Sequence, residues 1–176
     1  EFGQMYGEEV KASGIDVSGD TFVEDCAIDG DLEMYLPDAY VPSSSERMLL
    51  YRELDNINND DDLCRYRERL NDRFGTVPHE GEELMQVVPL RRIGRYLGCE
   101  KIILRQGQMR MQFVGNPNSA YYKSRTFDAM LDYIGSNPRR CNLKEISGRR
   151  LMIVKDVPTV GSAVDILRTI RSALKP

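Results

Sequence analysis

A single histidine, His79, stands among the 176 residues, and that count removes whole classes of chemistry. An H-E-x-x-H zinc helix, or any multi-histidine metal site, needs more imidazoles than this chain has. A Cys/His nucleophile pair would need His79 beside a thiol, and its place at an expected helix start favours a surface role. Carboxylates cluster in Asp60-Asp61-Asp62 and Glu82-Glu83. Such pairs can do general acid–base work, yet both groups fall at expected helix starts, where the helix dipole and solvent account for them. The sequence has no G-x-x-x-x-G-K-[ST] and no G-x-G-x-x-G following a strand, so neither nucleotide cradle is available. The cysteines, Cys26, Cys64, Cys99 and Cys141, are spaced 38, 35 and 42 residues apart. That spacing suits neither a zinc knuckle nor a redox dithiol, and reads as buried or half-buried free thiols in a reducing cytoplasm.

Basic side chains offer the remaining chemistry. Arg91-Arg92 with Arg95, Arg139-Arg140 and Arg149-Arg150 could meet phosphates, with Phe113, Tyr121 and Tyr122 as aromatic neighbours. Phe113, however, alternates with Met109 and Met111, which points to core use. Residues 1–62 carry 17 Asp and Glu against 3 Lys and Arg, and residues 63–176 carry 11 against 21. Acidic and basic surfaces that face each other, or another domain, would account for this asymmetry. A nucleic-acid-binding module built on the arginine-rich C-terminal half is the alternative.

The elements that position these groups follow from periodicity. A composition of 41% hydrophobic and 30% charged residues fits one soluble globular domain, and no stretch has the roughly 18 apolar residues that would span a bilayer. Residues 1–25 read as a polar tether or the tail of a preceding domain, with a short helix near Met5–Lys11. The opening Glu1-Phe2-Gly3-Gln4 lacks an initiator Met, which leads us to expect a piece of a longer chain. Leu32, Met34 and Leu36 alternate as in a strand. Ser43-x-x-Glu46 is a capping box opening a helix from about Ser44 to Ile57. A second helix runs from Asp60–Asp62 to Phe74. A third follows Pro78, with a kink or break expected at Pro89 and an end at Gly98. Hairpins Lys101–Arg105/Gln108–Val114 and Cys141–Ile146/Arg150–Val154 flank a helix over Ser119–Ile134, and a last helix covers Val160–Ala173. The fold class is therefore α+β: a helical hairpin region plus a short, largely antiparallel sheet built from β-hairpins with packed helices.

One run holds more than local structure. Asp72-Arg73-Phe74-Gly75-Thr76-Val77-Pro78-His79-Glu80 reads physically as a helix stop followed at once by a helix start. Upstream lie Tyr35-Leu36-Pro37-Asp38-Ala39-Tyr40-Val41-Pro42 and Glu46-Arg47-Met48-Leu49-Leu50-Tyr51; downstream lies Leu97-Gly98-x-Glu100-Lys101-Ile102. In this order and spacing, over about residues 30–165, the chain resembles the C-terminal domain of the bacterial transcription-repair coupling factor.

That resemblance implies a non-catalytic regulatory domain over residues 26–176, in a cytoplasmic, membrane-free protein. The full-length family member is an ATP-dependent DNA translocase that displaces stalled RNA polymerase and recruits nucleotide-excision repair. Its ATP-binding motor lies upstream, so no cofactor is expected in this stretch. The domain packs against the N-terminal excinuclease-B-like module of the same protein and masks the surface that binds the A component of the excinuclease. Carried over by position, Asp72 and Arg73 match the family contact on the helix before the R-F-G turn. One turn earlier the family has Glu where this chain has Arg69, beside Glu68.

Overall fold

The computed structural model describes residues 22–174. Most of the expected tether, including the short helix near Met5–Lys11, lies outside the described residues. The elements are β1 (Ala27–Gly30), α1 (Ser44–Asp55), α2 (Asp60–Phe74), α3 (His79–Tyr96), β2 (Cys99–Arg105), β3 (Gln108–Phe113), α4 (Arg125–Ser136), β4 (Cys141–Ile146), β5 (Arg149–Val154) and α5 (Val160–Ser172). A short 3-10 turn, Ala120–Lys123, precedes α4 where the sequence predicts continuous helix.

Helices α1, α2, α4 and α5 begin where short polar side chains can hold their first free amides, whereas α3 starts after Pro78 with no side-chain cap. Ser43 accepts from the Glu46 amide, Asn59 from Asp62, Ser124 from Phe127, and Thr159 forms a reciprocal box with Ser162. Between α2 and α3, Gly75 has φ +90° and ψ −170°, an extended positive-φ conformation essentially reserved for glycine. The Tyr40 hydroxyl fixes this turn by donating to the carbonyls of Leu70 and Gly75, at 3.1 and 2.7 Å.

The five strands form one sheet in the order β1-β2-β3-β5-β4. β1 runs parallel to β2, and the other three pairings are antiparallel. The strand expected at Leu32–Leu36 is displaced to Ala27–Gly30. The alternation at Leu32–Leu36 belongs instead to an extended connection: Leu36 is buried against the helical hairpin, Tyr35 is exposed, and the Leu36 amide donates to the Tyr51 hydroxyl at 2.8 Å. At β1 the amides of Cys26 and Gly30 donate to the carboxylates of the preceding Asp25 and Asp29, each at 2.8 Å.

Two apolar clusters share helix α3. Its N-terminal half contributes Met85 and Val88 to a core with Leu54, Leu63, Tyr66 and Leu70 of the hairpin. Its C-terminal half contributes Leu90 and Ile93 to the larger core under the sheet, with Met111, Phe113, Met130 and Leu167. Pro89 lies at the junction, inside an unbroken helix. The expected break does not occur because buried residues on both sides of Pro89 hold the two halves, offsetting the one amide the ring removes. Where α3 ends, Gly98 has φ +85°, and a Cβ there would stand 2.1 Å from the ring of Tyr121.

Candidate functional site

The last two turns of α2 carry the four residues singled out from the sequence. Leu63, Tyr66 and Leu70 turn inward, which leaves Glu68, Arg69, Asp72 and Arg73 exposed on the opposite side. The structure divides these four into two pairs. Arg69 and Arg73, four residues apart, face α1, where Arg69 pairs with Glu53 and Arg73 with Glu46. Glu46 and Glu53 are seven apart on α1, so the two antiparallel helices are laced by two ion pairs on one face. Each guanidinium also lies over a ring of its own helix, Arg69 by Tyr66 at 5.8 Å and Arg73 by Phe74 at 5.1 Å. All four partners of these ion pairs keep solvent contact, so each pair is worth at most about 1 kcal/mol.

Glu68 and Asp72 project outward from the laced face. Glu68 takes a long contact from the Cys64 thiol at 3.9 Å. The Asp72 carboxylate makes no ion pair or side-chain hydrogen bond among the described residues. Beside these residues, α1 and α2 enclose an open depression of about 490 Å³ whose floor includes Leu49, Leu50, Leu70 and Phe74, with Glu46, Glu53 and Arg73 around it. Leu49 is 63% exposed and Met48 55%, high values for large apolar side chains. A second depression of about 530 Å³, adjoining the first and sharing Glu53, Arg69 and Asp72 with it, is lined also by Arg65 and Glu68. The surface thus combines apolar floor, two internally neutralised arginines and an open carboxylate, a composition suited to docking a partner.

Glu46, Glu53 and Leu49 join this surface without having been singled out by sequence pattern. The signal was available: acids seven apart on one helix and arginines four apart on the next can meet when the helices pack antiparallel. Local rules give Glu46 to a capping box, whereas its carboxylate reaches across to Arg73.

Glu83 also departs from expectation. Its place near a helix start predicts a solvated carboxylate on its own helix dipole, yet it is 8% exposed and crosses to α5. There it accepts from the amides of Val160 at 2.7 Å and Gly161 at 3.2 Å, so the dipole it meets is that of α5. His79 is exposed, as expected, and lies 3.8 Å from the Glu83 carboxylate.

Much of the basic chemistry is already engaged within the domain. Arg92 pairs with Asp60 at 3.0 Å, Arg91 lies 3.9 Å from Asp55, and Arg149 pairs with Glu100 at 3.1 Å. Arg140 donates to the carbonyls of Lys155 and Asp156, and Arg150 sits over the Tyr122 ring at 4.4 Å. Acidic N-terminal elements therefore face basic later ones, as the charge asymmetry suggested. Phe113 and Tyr121 are fully buried, consistent with core use. Burial pushes the Cys26 thiol up to about 12 and the Cys99 thiol well above its usual value. Cys64 is exposed, against the expectation of four buried or half-buried thiols. Among the described residues no group of three or more His, Cys, Asp or Glu side chains could hold a metal ion, and no helix is long and apolar enough to cross a membrane.

Comparison with known proteins places this arrangement among relatives. A family model described as the TRCF domain matches residues 31–124, more than half of the chain. The transcription-repair-coupling factor of Rickettsia bellii is 25% identical over 113 residues, 64% of this chain and 10% of that protein. The corresponding protein of Rickettsia prowazekii is 30% identical over 71 residues, 40% of this chain and 6% of its own length. That of Escherichia coli is 28% identical over 67 residues, 38% and 6% respectively. The chain thus spans a tenth or less of these relatives. A crystal structure of the C-terminal domain of transcription-repair coupling factor superposes with a TM-score of 0.61 at 15% identity, covering 86% of this chain and 96% of that one, so the fold is shared.

Proposed function

The chain belongs to the TRCF domain family, and from that premise we propose that it is the regulatory, non-catalytic C-terminal domain of a transcription-repair coupling factor. In this reading residues 26–176 form the domain and residues 1–25 tether it to a preceding motor. The whole protein is a cytoplasmic, ATP-dependent DNA translocase that acts on stalled RNA polymerase, with ATP bound in the motor. The domain packs on the N-terminal excinuclease-B-like module and masks the surface for the A component of the excinuclease. Loss of that contact, when the motor engages polymerase and DNA, exposes the surface.

The observation that supports this best is the end of α2. Asp72 presents an open carboxylate beside an apolar depression rimmed by Arg73, while Arg69 is already engaged by Glu53. Asp72 is therefore the principal charge offered to the module, Arg73 contributes by leaving Glu46, and Arg69 and Glu68 set the flanking field. An interface of a few solvent-exposed charges around a small apolar patch is of modest strength, as a releasable clamp requires. The test is to mix this chain with the separately produced N-terminal module and measure association by calorimetry. Asp72→Arg with Arg73→Glu should weaken binding at least tenfold; unchanged affinity would refute the assignment of these residues.

A further inference from the structure

The sheet has two unequal faces. One carries Met109, Met111 and Phe113 into the larger core beneath α3, α4 and α5. On the other face the register aligns Lys101, Gln112, Leu151 and Lys144 in one cross-strand row, and Ile103, Arg110, Ile153 and Asn142 in the next. Among the described residues no helix covers this second face. Its central aliphatic residues are nonetheless buried, Leu151 to 6% and Ile153 to 8%. What solvent meets is polar and mainly cationic.

Three of those cations are free to act outward. Lys101, Arg110 and Lys144 make no ion pair among the described residues. Arg105 and Arg149, on the same face, are already held by Asp29 at 3.2 Å and Glu100 at 3.1 Å. From strand spacing and rise, the free cations form a triangle with sides of about 8, 12 and 14 Å at the backbone. Amides of Gln108, Gln112 and Asn142 are interspersed as further hydrogen-bond donors.

We propose that this open sheet face binds the phosphate backbone of duplex DNA, with Lys101, Arg110 and Lys144 as the principal phosphate contacts. Charge complementarity supports the occupant: a regular line of phosphates suits cations spread over a broad, flat surface. A protein partner would call for an exposed apolar centre to its interface, and the aliphatic centre here is already buried. The face carries no aromatic residue on which unpaired bases could stack, so single strands lack their usual anchor. The binding is sequence-independent, since contacts from these cations to phosphates position the duplex without reading base edges. This surface is distinct from the end of α2, so the two assignments stand or fall separately.

The experiment titrates the full chain into a fluorescein-labelled duplex of roughly 20 base pairs, following anisotropy from about 25 to 200 mM salt. The parent should bind at the lowest salt, with affinity falling steeply as salt rises. The triple variant Lys101→Ala/Arg110→Ala/Lys144→Ala should bind at least tenfold more weakly, with a log–log salt slope shallower by about 2.7, the contribution of three phosphates. Lys144 is exposed on an edge strand, so Lys144→Glu alone tests the face if the triple variant folds poorly, and it should cut affinity severalfold. Arg168→Ala, exposed on α5, should change nothing. Absence of parental binding at the lowest salt, an unaltered salt slope in the triple variant, or tighter binding of a poly-glutamate of equal charge than of DNA would each overturn the proposal.

Discussion

Replacing Glu83 tests how the helical hairpin and the sheet are joined. The side chain leaves α3, is nearly buried, and ends on the first two amides of α5. Hydrogen bonds to a charged group contribute about 1.5–3 kcal/mol each, and a carboxylate at a helix start adds a few tenths more. The Gly161 bond is longer and partly open to water, which can replace it. Val160 is fully buried, so its amide would be left without a partner. Glu83→Ala should therefore cost about 3–4 kcal/mol, and Glu83→Gln, which keeps an acceptor oxygen but loses the charge, about 1–2 kcal/mol. With a urea slope of about 2 kcal/mol/M for a chain of this size, the midpoint should fall by about 1.5–2 M for Ala and by less than about 1 M for Gln. Hydrogen exchange should show the Val160 amide losing protection in Glu83→Ala ahead of the rest of α5. A loss below about 0.5 kcal/mol in the Ala variant, or equal losses for Ala and Gln, would refute a charge-assisted cap.

Further outcomes follow from the same geometry. Gly98→Ala forces a Cβ into a positive-φ position 2.1 Å from the buried Tyr121 ring, and should lower stability by about 3 kcal/mol or more in a thermal melt. A double-mutant cycle on Glu46 and Arg73 should return a coupling below about 1 kcal/mol that shrinks with salt, because both partners keep solvent contact. In the native protein one thiol, Cys64, should react promptly with an aromatic disulfide reagent, and all four should react in urea. Alkali should destabilise the fold through Cys26, whose folded value is raised from 9.0 to about 12. The stability it contributes is fully present below the unfolded value near 9, declines as pH rises towards 12, and then levels off. Cys26→Ala should flatten that decline in urea titrations across this range.

The hairpins were legible because Met109, Met111 and Phe113 alternate directly after the Gln106-Gly107 turn, and the register leaves little choice once one face is buried. The first two helices were legible because their caps are local, Ser43 and Asn59 each acting within three residues, whereas the start of α4 at Ser124 was placed too early, at Ser119. What escaped was non-local. The alternation of Leu32, Met34 and Leu36 does not say whether a ladder partner exists, and the partner of β2 lies a few residues earlier, at Ala27–Gly30. Pro89 marks a helix end by local rules, but two cores meeting at one helix override them. At the candidate surface the exposed charges of α2 were readable from the helix pattern. Their division into Arg69 and Arg73, already engaged, and Asp72, still open, depended on how α1 lies alongside, which no local pattern encodes.

The short strand β1 has one more consequence. Edge strands with unsatisfied amides are templates on which a second chain can add, copy upon copy. At this edge the Gly30 amide is already taken by the Asp29 carboxylate, which is in turn paired with Arg105. At the far edge, Lys144 and Glu145 charge β4. Both edges thus carry groups that discourage the addition of another strand, while the broad face stays open to solvent.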